Sequence, residues 1–261
     1  MKITSPASTQ NNLTLDNFLW RENPRDTGMG RGSRSLNIDL TNKCTLECIT
    51  CERGYRIFEY GKVPGGNITV EDFKKYFELI DHFAFCGQVS DPSMHPQLKE
   101  IVKLVIENNK SCSIHNTASQ RPEKWYREMF EECSHEMVEW YFGIDGLPKD
   151  SHKYRTRQDG EKLYRMMELA TKYMDPTNII WKYIVFNYNQ TDLLRCKQMA
   201  RDLGIIFYTV VSDRHPPGLK PDDLYTGNLA MTNAFHYPDG HIYETRMPYE
   251  DREIYLWEWS S

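Results

Sequence analysis

The chain has no run of eighteen or more apolar residues, so a membrane-spanning helix, which takes about 20, is not expected. Residues 1–10 are polar and lack the apolar stretch of a secretory signal, which leaves the cytosol as the expected compartment. Positive charge is not in excess either. Thirty-two Lys and Arg against 37 Asp and Glu give a formal net charge of −5, which argues against a broad nucleic-acid-binding surface. No internal repeat is visible at the periods of solenoid proteins. A disulfide framework is missing as well: the seven cysteines are odd in number, three crowd into residues 44–51, and none follows Cys196. In a reducing compartment such clustering points to metal binding or chemistry.

What is present fits a globular domain. Hydrophobic residues make up 39% and charged residues 26% of 261, enough for one domain with a sizeable core. β-rich runs are expected at 35–40, 82–87, 111–116, 138–145, 179–186 and 205–211, and helical patterns at 69–80, 98–109, 122–132, 160–174 and 190–203. Thr69 with Asp72 three residues on resembles a capping box. Strands alternating with helices imply an α/β fold with a parallel sheet and right-handed crossovers. In barrels of this kind functional residues gather at the C-terminal ends of the strands. Residues 1–34 read as a polar arm, and 213–261 as a C-terminal extension with a hairpin about Pro238-Asp239-Gly240 that covers the barrel. Residues 255–259 suggest an edge strand or docking segment.

Cys44, Cys48 and Cys51 follow the first expected strand as C-x-x-x-C-x-x-C. Thiolates suit iron–sulfur clusters, and three of them would leave one iron of a four-iron cube open to an outside ligand. Two alternatives stand beside this. The spacing i, i+4, i+7 fits one helix face, which would string the outer two along about 10.5 Å of rise rather than around a cube. A zinc site would usually want four ligands, and no second C-x-x-C exists.

The motif in this position resembles the signature of the radical S-adenosylmethionine superfamily. That resemblance implies a partial (β/α)6 TIM-like barrel over 35–211 and a [4Fe–4S] cluster on Cys44, Cys48 and Cys51. It further implies that S-adenosylmethionine binds the open iron and is cleaved to a 5′-deoxyadenosyl radical, which abstracts a hydrogen atom from substrate. The electron would come from an external one-electron donor such as flavodoxin or ferredoxin. Ser90-Asp91-Pro92 is similar to the family's Gly-Glu-Pro, which grips the amino group of S-adenosylmethionine; an ordinary βα turn is the alternative. Asn116 would reach ribose or substrate, or serve as a satisfied loop-end group. Phe142-Gly143-Ile144-Asp145-Gly146 with Ser151 to Arg155 resembles a stretch of the peptide-modifying branch. Arg155 would then take the carboxylate of S-adenosylmethionine, unless it is a solvated surface arginine. Asn189 matches a ribose-binding asparagine, or caps a helix.

Thr50 and Gly143 depart from the family pattern, which commonly has an aromatic residue and a serine there. With no cysteine after Cys196, the cysteine-rich C-terminal extension of the peptide-maturase-like branch is expected to be absent or degenerate. A peptide is the suggested substrate, with a nucleoside or small molecule as the alternative. A degenerate relative that binds cluster or ligand without turnover is the non-enzyme alternative. Cys86, Cys112, Cys133 and Cys196 read as small buried hydrophobes.

Overall fold

The structure is a computed structural model that describes residues 34–210, 212, 215, 216, 218–222 and 233–245. Eight strands form one sheet in the order β1 to β8: Ser35–Asn37, His82–Phe85, Ser111–Asn116, Val138–Gly143, Ile179–Ile184, Ile206–Val210, Asn233–His236 and Ile242–Thr245. The pairs from β1 to β6 are parallel, and β7 and β8 add in antiparallel fashion. The sheet does not close, so the fold is a mixed α/β partial barrel. The helices are α1 Glu52–Tyr60, α2 Val70–Lys74, α3 Leu98–Glu107, α4 Glu123–Cys133, α5 Gly160–Ala170 and α6 Leu193–Asp202. None is long and apolar enough to cross a membrane.

Strand alternation divides the sheet's residues between two environments. Phe83, Phe85, Ile114, Trp140, Phe142, Trp181 and Phe207 pack with Phe73, Ile101, Phe130 and Met167 of the helices in the main core. Trp181 buries its whole ring there, and its Nε1–H donates to the Ile144 carbonyl at 2.8 Å. That bond satisfies a donor that would be costly if left alone. The opposite, concave face carries Ser113, His115, Glu139 and Lys182, which alternate with the core residues. Tyr141, Ile180, Ile206 and Phe235 form a second, smaller apolar cluster on that face.

Strand β3 spans the residues expected of it, whereas β1, β2, β4 and β5 end earlier, where the chain turns into the loops that follow them. The 69–80 segment starts as anticipated: Thr69 Oγ1 accepts from the Asp72 N–H at 3.0 Å. Regular helix ends at Lys74, and tighter i→i+3 bonds carry the chain on through Phe77 and Leu79. Phe73 and Phe77 thereby reach Phe83, with ring centroids 4.8 and 5.6 Å away. Helix α1 was not expected, and none of its residues is buried.

The hairpin turns through Gly240 at φ 96°, a left-handed conformation that glycine adopts without strain. It lengthens the sheet beside β6. Residues 1–33 and 255–259 lie outside the described residues.

His236 on β7 packs against Phe207, and burial, with Lys197 nearby, lowers its pKa from the ordinary 6.5 to about 4. Because the folded value lies below the unfolded one, the neutral ring's contribution is complete above pH 6.5 and lost as pH falls through 4. Urea unfolding between these pH values should show up to about 3 kcal/mol of acid-dependent destabilisation attributable to this ring. The dependence should shrink in His236→Phe.

Candidate active site

The cysteine loop leaves β1 and ends as α1 begins. Cys51 caps that helix, its carbonyl accepting from the Gly54 N–H at 2.9 Å, and Cys44 and Cys48 precede it. The three thiols are therefore not on one helix face. All three are free and half-buried. The loop is tied to its surroundings by long-range backbone bonds: Ile49 N–H to the Tyr154 carbonyl at 3.3 Å, Glu47 N–H to Thr156 at 3.1 Å, and Asp91 N–H to Lys43 at 3.0 Å. Arg53 Nη1 adds bonds to the carbonyls of Asn42 at 2.6 Å and Val89 at 3.1 Å.

Burial and the nearby Asp91 carboxylate push the Cys44 thiol up to about 12, and Cys48 and Cys51 add to the shift. Burial also raises Cys48, against the opposing pull of Arg155. Such thiols stay protonated until a cation replaces their protons, which is how metal loading couples to proton release. Among the described residues no three His, Cys, Asp or Glu side chains are grouped for a single metal ion. The half-buried trio suits separate corners of a four-iron cluster, by number and by donor type.

Arg155 lies beside this loop and is only 8% exposed, so it is not a solvated surface arginine. Its Nε stands 2.7 Å from Oδ2 of the wholly buried Asp145. The other Asp145 oxygen accepts from the Ile184 N–H at 2.7 Å. Burial raises the Asp145 carboxyl while the Arg155 guanidinium pulls against it. Gly143 makes the room for this arrangement. A Cβ there would strike Thr117 Cγ2 and stand 3.2 Å from Arg155 Nη2, so the serine common in the family would not fit.

The remaining expected ligand residues are already engaged. Oδ1 of Asp91 accepts from Ser93 N–H at 2.9 Å, Ser93 Oγ at 2.5 Å and Asn116 Nδ2 at 3.3 Å. Oδ2 accepts from Thr117 N–H at 2.7 Å, Thr117 Oγ1 at 3.0 Å and Ala118 N–H at 2.7 Å. Asp91 thus joins the loops after β2 and β3 and has no acceptor left for an amine. Asn116 spends its amide on Asp91 and the Ala118 carbonyl, and its oxygen on the Tyr126 hydroxyl at 2.9 Å. Asn189 closes the β5 loop, accepting from Phe186 N–H at 2.8 Å and donating to the Ile184 carbonyl at 2.9 Å. Ser90 Oγ donates to Asp39 at 2.5 Å.

Sequence reasoning overlooked Asp39, Gln158, Tyr154 and Tyr188. Asp39 gathers Gln88 N–H at 3.0 Å as well as Ser90. Gln158 Nε2 bridges the carbonyls of Thr117 at 2.7 Å and Gly143 at 2.8 Å. The Tyr154 hydroxyl meets Thr50 Oγ1 at 3.1 Å and its ring packs at a tilt against Phe186, with centroids 4.4 Å apart, so an aromatic ring does stand beside Thr50. The Tyr188 hydroxyl donates to the Asp145 carbonyl at 2.8 Å. The position of Tyr154 directly before Arg155 was the one available signal. Cys112, Cys133 and Cys196 are buried and Cys86 is half-buried.

No protein-family model matches the chain, and no curated protein does. Solved structures do. TYW1 with a lysine–pyruvate adduct bound aligns over 80% of this chain and 78% of its own, with 12% identity and a TM-score of 0.52. Streptococcus suis SuiB bound to S-adenosylmethionine aligns over 72% of this chain and 43% of its own, with 11% identity and a TM-score of 0.57. SuiB bound to its precursor peptide SuiA aligns over 66% and 37%, with 10% identity and a TM-score of 0.53. The chain therefore spans most of TYW1 but less than half of SuiB. These neighbours are radical S-adenosylmethionine enzymes, and the chain has their fold.

Replacing Asp91 by Ala removes every acceptor of this junction and strands buried backbone donors. The variant should lose about 3–5 kcal/mol in chemical unfolding. Unchanged stability would return Asp91 to the role of a ligand.

Proposed function

We propose that the chain is a radical S-adenosylmethionine enzyme. The observation that carries this reading is one loop with three free cysteines whose Cys48 lies beside the buried Arg155–Asp145 pair, in a barrel of the fold that SuiB uses. Cys44, Cys48 and Cys51 would hold the [4Fe–4S] cluster. When bound, that group supplies the electron that cleaves the sulfonium of S-adenosylmethionine, giving the 5′-deoxyadenosyl radical that takes hydrogen from substrate.

The protein's own residues do the holding. Arg155, kept charged and oriented by Asp145, offers its free guanidinium nitrogens to the carboxylate of S-adenosylmethionine. The amino group meets backbone carbonyls of the loop after β2, since Asp91 is committed elsewhere. The Gln88 carbonyl of that loop stands 3.9 Å from Cys51 Sγ. The Tyr154 and Phe186 rings form the wall against which an adenine would lie. Asn116 and Asn189 serve this site by fixing the loops rather than by touching ribose. The electron comes from an external one-electron donor such as flavodoxin or ferredoxin, in the cytosol, where the free thiols stay reduced. A peptide substrate is supported by the likeness to peptide-bound SuiB, and a small molecule by the likeness to TYW1 with its adduct.

Anaerobic reconstitution should load about four irons per chain, and Ala at Cys44, Cys48 or Cys51 should prevent it. Reductant and S-adenosylmethionine should then release 5′-deoxyadenosine. Loading without any release would favour the binding-only alternative, and stoichiometric zinc without iron would overturn the assignment. Combined Ser or Ala replacement of Cys86, Cys112, Cys133 and Cys196 should leave the iron count unchanged where the fold survives.

For Arg155 the informative variant is Lys, because Ala would also strand the Asp145 charge. Arg155→Lys should weaken S-adenosylmethionine binding by about 1.5 kcal/mol in calorimetry, with cluster content unchanged.

A further inference from the structure

Lys182 is the one lysine or arginine in the eight strands. Its neighbours along β5, Trp181 and Tyr183, point into the helix-packed core, so alternation sends Lys182 to the concave side. It pairs in register with Gly143 on one side and Tyr208 on the other. The layer beneath it is the apolar cluster of Tyr141, Ile180, Ile206 and Phe235. Lys182 itself is half-buried.

Among the described residues no carboxylate stands within ion-pair distance of its ammonium. Asp145 is close enough to feel the charge, but its oxygens are taken by Arg155 and the Ile184 N–H. A half-buried cation over an apolar floor is costly unless an anion meets it. Gly143, its register partner on β4, has no side chain, and a Cβ there would stand 3.2 Å from Arg155 Nη2.

We infer that Lys182 binds a carboxylate of the substrate on the concave face, next to the place where Arg155 takes that of S-adenosylmethionine. The two cations thus sort two acids. The inference rests on the functional reading above and narrows the substrate to one with an acidic group. That group is either part of a small free acid or a side-chain or terminal carboxylate of a peptide.

The test is anaerobic calorimetry on the cluster-reconstituted full chain at low salt with three probes. These are glutarate, a capped hexapeptide with a single Glu beside its Gln counterpart, and S-adenosylmethionine. The wild-type chain should bind glutarate or the Glu peptide, and which of the two binds identifies the source. Lys182→Met should weaken that binding by about tenfold or more, Lys182→Arg by less than about threefold, and neither should change S-adenosylmethionine affinity beyond about twofold. The bound probe should also protect Lys182 of the wild-type chain from reductive methylation read by mass spectrometry, a readout that needs no variant to fold. Absence of binding by both carboxylate probes, equal binding in Lys182→Met, or no protection would overturn the inference. So would loss of S-adenosylmethionine binding in Lys182→Met, which would make Lys182 part of the cofactor site. If the wild-type chain fails to bind S-adenosylmethionine, the functional reading falls while the carboxylate arms still decide Lys182.

Discussion

The Asp91 carboxylate is the constraint on which the mouth of the barrel depends. It lies wholly buried, with no lysine or arginine paired to it among the described residues, and its charge is met by six donors on Ser93, Asn116, Thr117 and Ala118. Donors supplied by the backbone cannot swing away, so the loops after β2 and β3 are held in one relation to each other. The backbone N–H of the same residue reaches the Lys43 carbonyl, which ties the cysteine loop into that junction. Without this anion three loops would each carry unpaired polar groups into a buried region, where such groups are expensive.

A second tier is built on that junction. Thr117, fixed by Asp91, leaves no room for a side chain at Gly143, and the space goes to the Arg155 guanidinium. Asp145 holds the guanidinium from the far side, and the Cys48 thiol lies within its field. Most polar side chains at the mouth therefore hold other parts of the protein. Few are left to touch a ligand, as expected of a site whose geometry is set before binding.

The two faces of the sheet divide the labour. The helix-packed side is almost entirely apolar and includes two fully buried tryptophans, Trp140 and Trp181. The concave side mixes an apolar floor with polar and charged residues above it. Among the described residues the sheet does not close, and the β7–β8 hairpin extends it beside β6.

The order of β1 to β6 and the position of the cysteines were legible in the sequence, because both are local. A strand announces itself through residues two apart, and the cysteine motif lies within eight positions. Helix α1 was not among the expected helices, and none of its residues is buried. For Asp91, Asn116 and Asn189 the sequence left both roles open. A polar residue at a strand end looks the same in sequence whether it awaits a ligand or satisfies its own loops. Asp91 finds Thr117 26 positions away and Asp145 meets Ile184 39 positions away. The burial of Arg155 is likewise a property of the elements that close around it. The sequence alone determined the parallel α/β architecture and the three thiols in one loop. Only the tertiary structure decided which polar groups hold the site and which remain free to bind, because that division depends on long-range hydrogen bonds that residue spacing does not encode.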